Sequence, residues 1–236
     1  MENMEKRIST GIEGLDEMVS GGIPEGHTVA LLGSFGTGKT TFAMQFIYQG
    51  LQQGEKGIVI SLEEDVDSII KSCDNYGLDI KPHIDKKELI IVKLEPGNVK
   101  TTLTKIKGEL SKTIRDFGAK RIAVDSVSLL NMLFDTPAER RATLFNLCQQ
   151  IKSSGATALL TAEVRDDNTV ASRDGLVEYV ADGVILLKYE ELASREVKLT
   201  LRIVKMRRAS HTREIKLYDI TKNGLVVLSK AEVFLR

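Results

Sequence analysis

The sequence predicts an α/β fold in which a mainly parallel central sheet is flanked by helices and extended by antiparallel strands at its C-terminal end. Three observations carry this expectation. Short apolar runs rich in β-branched residues recur along the first two thirds of the chain without polar alternation, as in strands buried on both faces. Helical patterns lie between them. After Val180 the helices stop and strand patterns follow one another across turn-length connections.

The first group of runs comprises residues 28–32, 57–62, 89–94, 121–124 and 156–160. Between the third and fourth, Leu103, Ile106, Leu110, Ile114 and Phe117 are spaced 3, 4, 4 and 3 apart, which puts all five on one helical stripe. Leu144, Leu147, Cys148 and Ile151 mark a second helix that should end near Gly155. Strands alternating with helices imply crossover connections and hence parallel pairing. The later runs, 183–189, 197–204, 215–220 and 225–228, read as an antiparallel meander, with Asp182-Gly183 and Asn223-Gly224 as turn signals. Neither a repeat nor a Pro/Gly-rich linker divides the chain, so residues 1–236 are expected to form a single domain.

With 236 residues, 42% of them hydrophobic, the chain can bury a substantial core. Its 33 basic and 33 acidic residues balance, so no overall field draws it toward nucleic acid or an anionic membrane. No apolar run approaches the ~18 residues of a membrane span, and the expected location is cytoplasmic. Cys73 and Cys148 lack metal-ligand spacing and are expected to be buried free thiols. His27 and His83 have no evident partners and read as surface or loop residues.

The chemistry is announced by Gly33-Ser34-Phe35-Gly36-Thr37-Gly38-Lys39-Thr40, a complete match to G-x-x-x-x-G-K-[ST], placed after an apolar strand and before a helix through Phe42, Phe46 and Ile47. In such a loop the glycines at 33, 36 and 38 permit positive φ, so that backbone N–H groups face phosphate oxygens beside a helix N-terminus. Lys39 is expected at the β- and γ-phosphates of ATP, or at the β-phosphate of ADP. Thr40 is expected on Mg2+, with Thr41 next in the nucleotide-binding run. Asp125 ends the run Arg121-Ile122-Ala123-Val124, where a parallel strand delivers it beside the loop as a second metal ligand; the bland alternative is a helix cap. Glu63 and Glu64 follow another strand at the edge where open α/β sheets place ligands. One of them is expected to be the catalytic base, while a glutamate there can also simply begin the next helix.

Taken together, these residues resemble the RecA-type P-loop NTPases, and most closely the KaiC-like ATPases, including single-domain archaeal members. The resemblance rests on the run from Arg7 through Asp16, on Gly21-Gly22-Ile23-Pro24-Glu25-Gly26, on the phosphate loop, on Glu63-Glu64 and on Val124-Asp125-Ser126. It continues through the run from Glu178 to Ile185 and through Lys205-Met206-Arg207-Arg208-Ala209-Ser210-His211. It spans roughly residues 7 to 228. What it implies is a RecA-like core and a hexameric ring with ATP between subunits. It also implies Thr40 and Asp125 around Mg2+, and Lys205, Arg207 and His211 approaching the γ-phosphate held by a neighbouring subunit. Clock members of the family carry two such domains in tandem, whereas this chain has room for one.

The resulting expectation is an ATP-hydrolysing ring that acts as a nucleotide-driven switch or assembly. A RadA-like ATPase acting on single-stranded DNA is the alternative. Against that alternative, aromatics are 5% of residues and tryptophan is absent, which is meagre provision for base-stacking platforms. Strand alternation puts Ile203, Lys205 and Arg207 on one face, from which both cations could project together.

Overall fold

In the computed structural model, residues 6–94, 109–132, 134–164, 171–172, 175–191 and 195–228 are described. The expected strands join in one sheet. A small antiparallel pair, β1 (Arg7–Ile8) and β2 (Ile23–Pro24), leads into it. The sheet then gathers β3 (Thr28–Gly33), β4 (Lys56–Ser61), β5 (Leu89–Lys93), β6 (Ala119–Asp125), β7 (Thr157–Glu163), β8 (Gly183–Glu191), β9 (Val197–Met206), β10 (Lys216–Thr221) and β11 (Gly224–Leu228). Their order is β11-β10-β9-β8-β3-β7-β6-β4-β5. Pairing is parallel from β8 through β5 and antiparallel from β8 to β11. The strand at 183–191 is therefore both the last parallel strand, against β3, and the first antiparallel one, against β9.

Alternate residues of β3 serve opposite layers, which is why the run lacks polar alternation. Val29 and Leu31 join Phe42, Phe46 and Ile47 of the helix Lys39–Gln52 on one face, and Ala30 and Leu32 join Leu144, Leu147 and Ile151 on the other. The helix carrying the latter three spans Pro137–Ser154. It opens with a reciprocal capping box between Thr136 and Glu139 and closes at Gly155, φ 82°, as the sequence predicts. The helix Leu110–Phe117 presents Ile114 to the same layer, while Leu103 and Ile106 of its expected stripe lie outside the described residues. Cys73 and Cys148 are buried and free, and burial pushes their thiols up to about 12 and about 11.

Three expectations need correction. The sequence predicts that the run at 89–94 is buried on both faces, but β5 is the sheet's edge strand: Leu89 is buried while Ile90 and Val92 are more than a third exposed. Asp182-Gly183 is a tertiary contact rather than a turn. The Asp182 carboxylate accepts from Thr28 N–H, Thr28 Oγ1 and Lys152 Nζ. At Gly183 an added Cβ would fall 2.7 Å from Met206 Sδ. His27 is fully buried, with Nε2 2.9 Å from the Arg207 carbonyl and Nδ1 3.3 Å from Arg208 Nη2, and His83 is half-buried with Nδ1 2.6 Å from Glu88. The partners of His27 lie some 180 residues along the chain, so neighbouring letters gave no sign of them, whereas Glu88 is only five residues from His83.

Candidate functional site

Parallel strands that start level also end level, and the register brings four carboxyl ends to one rim: Gly33 pairs with Glu163, and Ser61 pairs with Asp125. The loop 33–38 leaves β3 at this rim and turns into the helix Lys39–Gln52, whose N-terminus carries no acidic residue in its first turn. Gly36 and Gly38 take φ of 75° and 81°. Gly33, expected to share that conformation, does not. It is glycine because a Cβ there would lie 2.5 Å from Thr37 Oγ1, which donates to the Ser34 carbonyl at 2.8 Å. Phe35, at the loop's tip, is 87% exposed.

Lys39 folds back over the loop and donates to the Gly33 and Ser34 carbonyls, each at 2.9 Å. Burial holds its ammonium below the ordinary lysine value, opposed by the nearby carboxylates of Asp125, Glu163 and Glu63. A cation in this position is held by weak neutral acceptors while three anions draw it, so a phosphate entering the loop can take it over.

Asp125 is 7% exposed at the end of β6. Its Oδ2 accepts from Thr40 Oγ1 at 2.6 Å, and its Oδ1 accepts from Thr161 Oγ1. The helix-cap alternative is thereby excluded for its side chain. One hydroxyl and one carboxylate oxygen face each other across the start of the helix, a donor set that suits Mg2+, which takes one or two protein oxygens and completes its shell with water and phosphate. Among the described residues no group of three or more His, Cys, Asp or Glu could hold a metal by itself.

Glu63 and Glu64 stand just beyond β4. The next helix, Val66–Asn75, is capped by Asp65, whose carboxylate accepts from Ser68 N–H at 2.8 Å, so neither glutamate is needed to begin it. Glu63 accepts from Ser126 Oγ at 2.7 Å, beside Asp125, and its carbonyl accepts from Lys93 Nζ. The Glu64 backbone is pinned by Ser61, whose hydroxyl donates to its carbonyl and accepts from its N–H. Burial, then the charges of Asp125, Glu63 and Asp65, raise the Glu64 carboxyl above the ordinary glutamate value, partly offset by Lys93.

Several residues at this rim escaped the sequence reading. Thr161 anchors Asp125, and Ser128 Oγ accepts from the Glu163 N–H at 2.8 Å. A small, mostly apolar pocket beside Thr40 and Thr41 is lined by Met44, Ile69, Cys73 and Tyr76. Tyr189 and Tyr218 reach the back of the loop from β8 and β10. Aromatic residues in strands ordinarily fill cores, so letters alone could not single these out.

Lys205, Arg207 and His211 lie elsewhere. Lys205 pairs with Val184, and Val184 with Ala30, three residues or about 10 Å of strand before Gly33. They therefore sit at the opposite rim from the loop of their own chain. The expected common face of Ile203, Lys205 and Arg207 is also overturned: the register shifts between Val184 and Ile185, leaving Val204 as an extra residue and turning Lys205 to the other side of the sheet from Ile203. There Lys205 Nζ donates to the carbonyls of Glu178 at 2.8 Å and Ala181 at 2.6 Å, at the end of the short helix Val177–Val180. Arg207 approaches the Tyr179 carbonyl and lies 3.7 Å from the Asp182 carboxylate. His211 Nδ1 lies 2.9 Å from the Thr212 carbonyl.

Comparison with known proteins agrees with this geometry. Residues 8–232 match the family described as ATPase: KaiC. A UPF0273 protein of Pyrococcus horikoshii is 35% identical over 95% of this chain and 94% of its own length, and one of Thermotoga maritima is 34% identical over 95% and 96%. The circadian clock oscillator protein KaiC of Parathermosynechococcus lividus is 33% identical over 92% of this chain, which spans only 41% of that protein. The crystal structure of a KaiC-like protein from Pyrococcus horikoshii superimposes with a TM-score of 0.83 at 34% identity, covering 94% of this chain and 98% of that one.

Proposed function

The chain belongs to the KaiC family of ATPases, and we propose that it is an Mg2+-dependent ATP hydrolase that assembles as a ring and works as a nucleotide-driven switch. The observation that carries the catalytic part of this reading is the 2.6 Å contact of Thr40 Oγ1 with Asp125 Oδ2 beside the folded-back Lys39. All three side chains are held by replaceable partners, at the rim where a phosphate loop opens.

On binding, Lys39 exchanges the two loop carbonyls for β- and γ-phosphate oxygens. Thr40 and Asp125 would hold Mg2+, which would supply charge neutralisation at the phosphates. Glu64 is the better candidate for the base: burial and neighbouring carboxylates raise its carboxyl above the ordinary glutamate value and its backbone is fixed by Ser61, whereas the Glu63 carboxylate is engaged by Ser126.

The ring supplies what one chain lacks. Lys205, Arg207 and His211 cannot serve the loop of their own subunit from the far rim, so they act on a neighbour's γ-phosphate if they act at all, as an arginine finger does. A mixed population of Lys39→Ala and Lys205→Ala subunits should then recover activity that neither variant has alone. Near-normal turnover by Lys205→Ala alone would remove it from the site. The primary experiment measures ATP turnover with and without single-stranded DNA, alongside mass by light scattering. We expect turnover indifferent to DNA at a mass several times that of one chain. Stimulation by DNA would move the reading to a recombination ATPase.

A further inference from the structure

The antiparallel strands at the C-terminal end do more than widen the sheet. Tyr189, near the end of β8, donates its hydroxyl to the Gly36 carbonyl at 3.0 Å, and Tyr218, in β10, donates to the Thr37 carbonyl at 2.6 Å. Thus two phenols from two strands hold the carbonyls of two consecutive loop residues. In a trans peptide the carbonyl of one residue and the N–H of the next point in opposite directions. Pulling the Gly36 carbonyl toward Tyr189 therefore turns the Thr37 N–H away from it, and pulling the Thr37 carbonyl toward Tyr218 does the same to the Gly38 N–H. These donors are then directed to the side of the loop opposite the tyrosines, where an anion is received.

The packing supports a constraint rather than a chance contact. A Cβ on Gly38 would lie 2.7 Å from Ile220 Cδ1, and one on Gly36 would lie 3.0 Å from Tyr189 Oη, so the same strands press on the loop directly. Tyr218 is 1% exposed. Burial, and to a lesser degree Tyr189, push its phenol above the ordinary value, which keeps it a protonated donor. β8 can provide Tyr189 because it runs past the end of its pairing with β3, which stops at Leu187 opposite Gly33.

We propose that Tyr189 and Tyr218 are positioning residues for phosphate binding, a clamp that presets the Thr37 and Gly38 amides before any ligand arrives. The proposal rests on the nucleotide-binding reading of the loop and extends it to the strand residues that hold the loop's carbonyls. Its consequence is specific to phosphate: loss of a clamp hydroxyl weakens every ligand that uses the loop by a similar factor, whether or not it carries a base.

The test is calorimetric titration of the full chain and of Tyr218→Phe and Tyr189→Phe with two probes, Mg-ATP and inorganic tripolyphosphate, alongside thermal denaturation without ligand. A net hydrogen bond changes an equilibrium by roughly 2- to 10-fold, so Tyr218→Phe should weaken both probes by a matching factor in that range. Tyr189→Phe, whose ring is half exposed, should weaken both by less, and its folding should be untouched. Where turnover is measurable, KM for ATP should rise with kcat nearly kept. Unchanged affinity for both probes in both variants, with wild-type binding intact, overturns the clamp alone, as does a Tyr218→Phe protein that loses thermal stability yet binds normally. A wild-type chain that binds neither probe overturns the nucleotide reading itself.

Discussion

The two rims of the sheet use the same residue types to opposite ends. At the amino rim, Arg121 is 1% exposed at the start of β6, yet each guanidinium nitrogen is engaged. Nε donates to Glu55 at 2.6 Å, Nη1 to the Ser9 and Phe46 carbonyls, and Nη2 to Gln53, with the guanidinium 4.8 Å over the Phe46 ring. Asp182 at the same rim is likewise surrounded by Thr28, Lys152 and Arg207. At the carboxyl rim, Lys39, Thr40, Asp125 and Glu63 hold loop carbonyls, each other and a serine. Charges at the amino rim join distant segments through contacts that nothing from outside can improve. Those at the carboxyl rim make contacts that a phosphate or a cation improves on. Buried charge alone does not mark a site. What marks this one is the replaceability of the partners.

The largest expected break in this contrast comes from Lys39→Ala, which should abolish nucleotide binding and turnover while leaving chemical denaturation nearly unchanged, because its present acceptors are carbonyls of the loop itself. Unaltered ATP affinity and turnover would place the phosphate site elsewhere. Next in size, Glu64→Gln should retain ATP binding and slow hydrolysis by roughly 10²- to 10⁴-fold, the usual contribution of a positioned base. If turnover survives this change but falls with Glu63→Gln, the roles of the two glutamates are exchanged.

The opposite rim should respond in stability. Arg121→Met strands the Glu55 carboxylate and two carbonyls; because Glu55 keeps 22% exposure, the expected cost is at or below the low end of the about 3–5 kcal/mol of a buried pair. Urea denaturation should show a drop of that size, and the folded fraction should still bind ATP with normal affinity. A variant of full stability would mean that these contacts are as replaceable as those of the loop.

The smallest effect is in pH. A base works deprotonated, and the Glu64 carboxyl lies above the ordinary glutamate value through burial and the charges of Asp125, Glu63 and Asp65. The acid limb of kcat/KM should therefore lie higher than an ordinary glutamate would place it. Removing one like charge with Glu63→Gln should move it downward. An acid limb that does not respond to this change would argue against Glu64 as the titrating group.

Much of the protein was readable from its letters, and the reason is periodicity and local turn chemistry. The sheet's parallel core announced itself because strands buried on both faces leave unbroken apolar runs, the helix ending at Gly155 because its C-cap lies next to it in sequence, and the phosphate loop because its glycines, lysine and threonine are contiguous. Asp125 and the paired glutamates were legible as strand-end carboxylates, since a parallel sheet delivers such positions to one rim. Tertiary structure decided what depends on partners far along the chain. The burial of His27, the hub at Asp182, the bulge that turns Lys205 across the sheet, the edge position of β5 and the tyrosines behind the loop join residues up to 181 positions apart. Pairing at that separation is set by strand order and register. Both emerge from how the whole set of apolar faces packs, and neither is written in any one segment.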